Sequence, residues 1–480
     1  MSGLIGSLTN SSKALSVHSK GLEIAGKNLA NINNRGYSKQ RVAIGDRGSI
    51  TTGIATESMG VEAMELRQNR DVLLDKSVMR ELSTTAALLT SQKVLQNAET
   101  ALGQFLDRSK DSTSIDSASG ATGGGISDAI GDFFNAWESF SVKPNDVGVK
   151  QLLLQKAEIL AEKINVTDER LSSVQSDVDA QIDADIIVVN DVLASIAELN
   201  GYIAKAENVK PYSAVDLRDQ RQAKLEELSK YFDVSFNNIP DTAGQIEVLS
   251  RNSIGEPVTL VKGIEIPNDA KVEFDATNGL FTFGAIEMDF SRGGLGAQLL
   301  TRDSDVQAAR DQIADLATQL SGSINGVYLA SGSNFFRNPP TAGNLIALES
   351  ALSVTTLKAT STTNAGANEL ALGIANLANK VFTKADGQTN TGLINGTFVS
   401  YFNSSVSQLG QTLNTTKIRL EDQQLSEEMA LINRDQYSGV SQDEELTDLM
   451  KFQRSFQASA RHINIIDSLL DQVVNRLGVG

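Results

Sequence analysis

The chain of 480 residues contains no cysteine, which removes disulfides, thiolate nucleophiles and cysteine-ligated metals. Histidine is almost as scarce. His18 and His462 stand alone, each without a second His or Cys near it in sequence, so each reads as a helix-surface or interface residue rather than a ligand or base. Aromatic residues make up only 5%. The seven prolines all lie between Pro144 and Pro340, which leaves both ends of the chain free to form long helices. Apolar runs such as residues 186–189 are far too short for a membrane span. Residues 1–12 lack the basic start and apolar stretch of a cleavable signal, so none is expected. The balance of 42 basic against 59 acidic residues, net −17, argues against binding to nucleic acid or an anionic membrane surface.

What is present is periodicity. Leu8, Leu15, Leu22 and Leu29 are seven apart, and the companion row of Ile5, Ser12, Ser19 and Gly26 is mostly small. Lys13, Lys20 and Lys27 keep the same interval on another face. At the other end Leu449, Phe456, Ile463, Leu470 and Leu477 form one row, with Phe452, Ser459, Ile466 and Val473 as its companion. A repeat of seven sustained over several turns is the pattern of a coiled-coil seam, here in two stripes each about 45 Å long at ~1.5 Å per residue. Small residues in one row let a neighbouring helix approach closely.

The expected fold is α+β and multidomain. N- and C-terminal helices pair as an α-helical coiled coil, over residues 1–60 with 430–480. A helical body occupies 61–231 with 291–330 and 367–429, with helices over 66–105, 128–140, 148–199, 216–231 and 295–329. Residues 109–125, rich in Ser, Gly and Asp, read as a flexible loop. At Phe232 the texture changes to short alternating strands, and Asn278-Gly279 is a hairpin signal. A small inserted all-β domain is therefore expected over 232–290, and a loop-rich insertion over 331–366.

No catalytic constellation emerges. Gly120 and Gly125 have P-loop spacing, but Ile126 stands where the phosphate-binding lysine is required and no strand precedes them. Asp177, Asp179, Asp183 and Asp185 could suggest a cation site, but on a helix Asp177 and Asp179 point to different faces and no glycine turn shapes an oxygen cage, so the run reads as a solvated acidic face. No catalytic, cofactor-binding or metal-binding residue is assigned, no cofactor is expected, and the chain is read as a non-enzyme.

The first stripe stops at a corner, NLANINNRGYSKQRV, residues 28–42. Asn33, Asn34 and Gly36 tolerate left-handed backbone and can end a helix, and Tyr37 supplies an amphipathic anchor. The first 50 residues carry seven basic and two acidic side chains, whereas residues 421–448 carry nine acidic ones and only Arg434 as a base. Complementary ends follow, within a chain or between neighbours.

This corner resembles the N-terminal signature of the bacterial flagellar axial family of rod, hook and hook-associated proteins, through Ala30, Asn31, Gly36 and Tyr37. Asn33 stands at or beside the family's usual threonine. The C-terminal stretch DEELTDLMKFQRSFQASARHINIIDSLLDQVVN is similar to the family's other signature, through Glu445, Leu446, Leu449, Gln453, Phe456, Gln457, Ala458, Ala460, Asp467 and Leu470. Two interior stretches, FFNAWESFSVKPNDVGVKQLLLQKAEILAEKIN and AVDLRDQRQAKLEELSKYFDV, resemble the helical body of the hook-associated members.

The resemblance implies a structural subunit forming the junction ring between hook and filament. It implies self-association into a ring. Its implied partners are the hook protein, the next hook-associated protein and an export chaperone, with no nucleic acid and no membrane. It also implies an extracellular place in the flagellum, reached through the flagellar type III apparatus. The expected assembly interface is Leu8, Leu15, Leu22, Leu29, Leu449, Phe456, Ile463, Ile466, Leu470 and Val473. The rival readings are another axial subunit, from hook or distal rod, and a secreted coiled-coil adhesin.

Overall fold

The structure, a computed structural model, describes residues 2–34, 36–46, 49–52, 55–58, 60–102, 125–209, 213–340, 343–361, 367–384 and 392–472. The expected loop at 109–125 therefore lies outside the described residues except for Gly125, as do Val473 and Leu477 of the C-terminal stripe. In chain order come α1 (Ser2–Ala30), β1 (Gln40–Asp46), β2 (Ser49–Thr52), β3 (Ala55–Ser58), β4 (Val61–Gln68) and α2 (Val72–Ala101). Then follow α3 (Ile126–Val142), α4 (Val147–Val209) and α5 (Val215–Ser229). Six strands come next: β5 (Ser235–Asn238), β6 (Ile246–Arg251), β7 (Pro257–Lys262), β8 (Val272–Asp275), β9 (Leu280–Phe283) and β10 (Ile286–Met288). The chain ends through α6 (Gly294–Leu300), a π-helical turn over Thr301–Val306, α7 (Gln307–Tyr328), α8 (Glu369–Ala375), α9 (Phe398–Ser438) and α10 (Gln442–Asp471). The fold is α+β, dominated by long helices.

The chain divides into two compact units. The first comprises Met1–Ala87, Asp183–Gly296 and Glu421–Gly480; the second comprises Leu88–Ile182 and Ala297–Leu420. Helix α4 contributes to both, and its apolar positions show why it forms. Leu153, Ala157, Leu160, Ile164, Leu171, Val178, Ile182, Val189, Ile196 and Ile203 are all buried and fall on one helical stripe.

In the second unit an aromatic core gathers around Trp137. Trp137 lies 5.1 Å from Phe335 and 5.8 Å from Phe140, ring centre to ring centre, and Phe133 packs against Phe134, Phe335 and Phe336. The described part of 331–366 is irregular, yet it is held. Asn325 accepts from the Phe335 and Phe336 amides, each at 2.9 Å, and donates to the Phe336 carbonyl at 2.8 Å. Asn165 grips the Leu345 and Ile346 backbone in the same way. Side-chain amides thus add to the antiparallel bridge of Phe336 with Leu348 in satisfying the backbone of this segment.

In the first unit β5, β6 and β7 form one antiparallel sheet and β8, β9 and β10 another. The β8–β9 turn has Gly279 at φ +65° and is closed by the Asp275 carboxylate, which accepts from the Thr277 and Asn278 amides. Asn190 of α4 exchanges two 2.9 Å hydrogen bonds with the Val272 backbone and fixes β8 against the helix.

The helix expected over 66–105 begins only at Val72, the helical body expected from 61 opens on strand β4, and three further strands follow the corner within the 1–60 segment, where none was expected. β1 pairs antiparallel with β4, from Gln40 opposite Gln68 to Asp46 opposite Val61, with a bulge at Ala43/Ile44, and β2 pairs with β3. The period in VEAMELRQ is two, with exposure alternating along its first residues, and such a short strand is easily absorbed into a neighbouring helical pattern.

Candidate assembly site

Helices α1 and α10 pack along one another. Among the described side chains α1 buries Val17, Gly21, Ile24, Ala25 and Asn28, of which Val17, Gly21, Ile24 and Asn28 form a row spaced four, three, four. Gly21 sits directly beneath Phe452. A Cβ there would stand 2.6 Å from the ring, so only glycine permits this approach. His18 also faces Phe452, 6.4 Å between ring centres, and Ser11 Oγ lies 2.8 Å from His462 Nδ1. Both histidines therefore sit at the helix interface.

The predicted rows lie beside this seam. Leu8, Leu15, Leu22 and Leu29 are half-buried, and so are Leu449, Phe456, Ile463 and Leu470; Ile466 is fully buried. The small residues Gly21 and Ala25 let the backbones close in, so the larger leucines flank the contact. Other apolar side chains of the same two helices remain in water: Ile5, Leu446, Met450, Ile465 and Leu469 are exposed.

The corner ends α1 by side-chain hydrogen bonds. Asn33 and Asn34 do not adopt the left-handed backbone their type permits. Instead Asn31 Nδ2 donates to the Lys27 carbonyl at 2.9 Å, the Gly36 amide donates to Asn34 Oδ1 at 3.2 Å, and the Tyr37 amide to the Asn34 carbonyl at 3.0 Å. Ala30 is exposed; Asn31, Gly36 and Tyr37 are half-buried.

Asn28 is the hub. It donates to the Gln40 carbonyl at 2.9 Å and to Glu445 Oε2 at 3.0 Å, and its Oδ1 accepts from Tyr37 Oη at 2.7 Å and the Gln40 amide at 3.1 Å. A fully satisfied amide in an otherwise apolar row fixes register between helices. Lys39 stands beside it, 2.6 Å from Glu444 and 3.0 Å from Glu445 in the first turn of α10. The complementary charge of the two ends is thus realised within one chain.

A second layer of charge supports the corner. Arg70 binds Asp219 at 2.9 Å and Asp75 at 3.4 Å, and donates to the Gly36 carbonyl at 3.2 Å. Asp216 accepts from Lys27 and from Gln40, and Arg434 pairs with Glu226 at 2.5 Å. Burial pushes the Asp219 carboxyl up to about 7, against the pull of Arg70, and also raises Asp75. Burial works against charged Asp216 as well, yet Lys27 and Gln40 hold it below its ordinary range. Tyr37 is raised by burial and by the nearby Asp219, Asp216 and Glu445 carboxylates.

Residues Asn28, Lys39, Asp219, Arg434 and Glu445 of this network were not singled out for it by sequence reasoning. The one local signal was Asn28, a polar residue in the row of Val17, Gly21 and Ile24. Among the described residues no group of three His, Asp or Glu side chains is placed to hold a metal ion, and no helix is long and apolar enough to cross a membrane. Asp179 of the acidic run is bound by Arg302.

Comparison with known proteins adds the following. Residues 112–334 match the family model described as the flagellar hook-associated protein FlgK helical domain, and residues 434–477 match that of the flagellar basal body rod FlgEFG protein C-terminal region. The chain is 26% identical to flagellar hook-associated protein 1 of Bacillus subtilis, over 98% of both chains. It is 23% identical to the Escherichia coli protein of that name, over 70% of this chain and 60% of the relative. For the Salmonella typhimurium protein the figures are 22%, 63% and 53%. It thus spans about half to three-fifths of those two longer relatives. The solved structure of the flagellar hook junction protein FlgK from Burkholderia pseudomallei aligns over 55% of this chain and 46% of its own, at 19% identity and a TM-score of 0.44.

Proposed function

On the match of residues 112–334 to the helical domain of the flagellar hook-associated proteins, we propose that the chain is a member of that family and the structural subunit of the ring joining hook to filament. The observation that carries the reading is the terminal helix pair. Its seam is formed within one chain, yet Ile5, Leu446, Met450, Ile465 and Leu469 stay exposed and the Leu8–Leu29 row is only half covered. Apolar side chains left in water along two helices are surfaces for further helices. Neighbouring copies supply these, packing as a coiled coil around a common axis, and the corner with its buried charges sets the angle at which each pair leaves the rest of the subunit.

In this reading the protein has no catalytic role. It leaves the cell through the flagellar type III apparatus, escorted by a chaperone that masks the C-terminal stripe. It then contacts the hook protein on one side and the next hook-associated protein on the other. Full-length similarity to the Bacillus relative supports the junction role over that of a hook or distal rod subunit. The test is a deletion strain examined by electron microscopy. Complete hooks, no filaments and flagellin shed into the medium are expected. Normal filaments overturn the proposal, and missing hooks transfer the role to the hook or rod.

A further inference from the structure

A cleft of about 450 Å³ opens in the first unit where the end of β4, the first turn of α2, α5 and the β5–β6 sheet meet. That volume suits a small molecule. Four arginines line it: Arg67, Arg70, Arg218 and Arg221. Three have carboxylate partners. Arg67 binds Glu65, and Arg70 binds Asp75 and Asp219. Arg218 holds Glu207 in a fork, Nε to Oε1 at 2.8 Å and Nη2 to Oε2 at 2.7 Å. The carboxylates that line the cleft, Glu65 and Asp75, are therefore already bound to other arginines.

Arg221 differs. It is only 6% exposed, yet among the described residues no carboxylate hydrogen-bonds to it; the nearest acidic influence is Glu207, which is itself held by Arg218. Its Nη1 donates to Asn200 Oδ1 at 2.7 Å and to the Gly244 carbonyl at 2.8 Å, both neutral acceptors. Asn200 is itself fully buried and held by bonds to the Ile246 and Gly263 carbonyls. One corner of the guanidinium is thus anchored. The other two donors, Nε and Nη2, find no acceptor among the described residues. They form the side-on edge that recognises a carboxylate or phosphate through two parallel bonds. Arg218 uses that same edge on Glu207 a turn away. Arg70 adds a further buried donor, Nε, that has no partner.

Burial lowers the Arg221 pKa to about 9, and the Arg218 cation beside it acts in the same direction against the weaker opposing pull of Glu207; the group is still charged at neutral pH. A buried charge whose donors are only partly paired is unfavourable, so an anion entering here gains what the fold leaves unmet. The remaining wall, with Val72, Val215, Leu225 and Phe236, is apolar.

We propose that this cleft is an oxyanion site. The Nε and Nη2 edge of Arg221 takes a carboxylate or phosphate group carried on a small, partly apolar molecule.

The full chain is melted in phosphate, in acetate and in chloride at equal ionic strength, and the comparison of phosphate with acetate shows which group the cleft prefers. A saturable rise in Tm in at least one oxyanion is expected, and Arg221→Lys, which keeps the charge but not the fork, is expected to lose the saturable part. Equal melting in all three salts, or an unchanged rise in Arg221→Lys, overturns the proposal. If that variant does not fold, the unaltered protein decides. Crystals soaked in selenate are expected to show an anomalous peak within hydrogen-bond distance of Arg221 Nε and Nη2, and its absence there overturns the site.

Discussion

The Lys39 ammonium lies 3.0 Å from the Glu445 carboxylate, and both side chains are under 5% exposed although 405 residues separate them in the chain. This pair joins the strand after the corner to the start of α10. Removing Lys39 leaves the buried Glu445 carboxylate with the neutral Asn28 amide but no counter-ion, at a cost of about 3–5 kcal/mol. Lys39→Met is therefore expected to lower unfolding free energy by about 3 kcal/mol in urea titrations of the monomer. Lys39→Met combined with Glu445→Leu should recover most of the loss, because no orphaned charge remains. A loss below about 1 kcal/mol in the single variant would show that the pair is not desolvated as described.

Gly21 beneath Phe452 gives a prediction in which a sign reverses. Alanine is the better helix former by about 1 kcal/mol, but here its Cβ meets the ring at 2.6 Å. Gly21→Ala is expected to destabilise by about 1–3 kcal/mol, as overpacking does. In a Phe452→Ala background the same change should stabilise by about 1 kcal/mol. A double-mutant cycle measures it; independent effects of the two substitutions would count against the close approach.

The Asp219 carboxyl, raised to about 7 by burial, makes stability fall as pH rises. Between the unfolded value of about 3.9 and about 7 the folded chain holds a proton that the unfolded chain does not. Asp216 and Glu444, both held below their ordinary range, act in the opposite sense and lose their contribution as pH falls through the acid range. Melting temperature should therefore drop between about pH 5 and about pH 7, and Asp219→Asn should flatten that drop. Parallel profiles for the two proteins would refute the assignment.

The half-covered leucines test the assembly reading. Leu15→Asp with Leu22→Asp is expected to abolish incorporation into the flagellum, scored by filament counts, while circular dichroism of the monomer keeps its strand signal. Normal filaments from this variant would place the assembly surface elsewhere.

Local pattern determined much of this molecule. The apolar stripes of α4 and α10 fall every three or four residues, and each position can be recognised without knowing its partner. The hairpin turn at Gly279 and the corner after Asn31 are local in the same way, because turn residues act on their own backbone. Short strands were harder. β1 and β4 lie between long helices, and their alternation competes with a helical reading over the same few residues.

Tertiary structure decided the rest. Which face of α1 is buried depends on how near α10 can come, and that is set by Gly21 meeting Phe452, a contact no periodicity encodes. Asn28, Lys39, Asp219 and Glu445 gain their roles from residues far away in the chain, since the burial that makes a charge consequential exists only once the segments have met. Arg221 is one arginine among many in the sequence; the fold makes it distinctive by surrounding it with neutral acceptors and committing the nearby carboxylates to its neighbours.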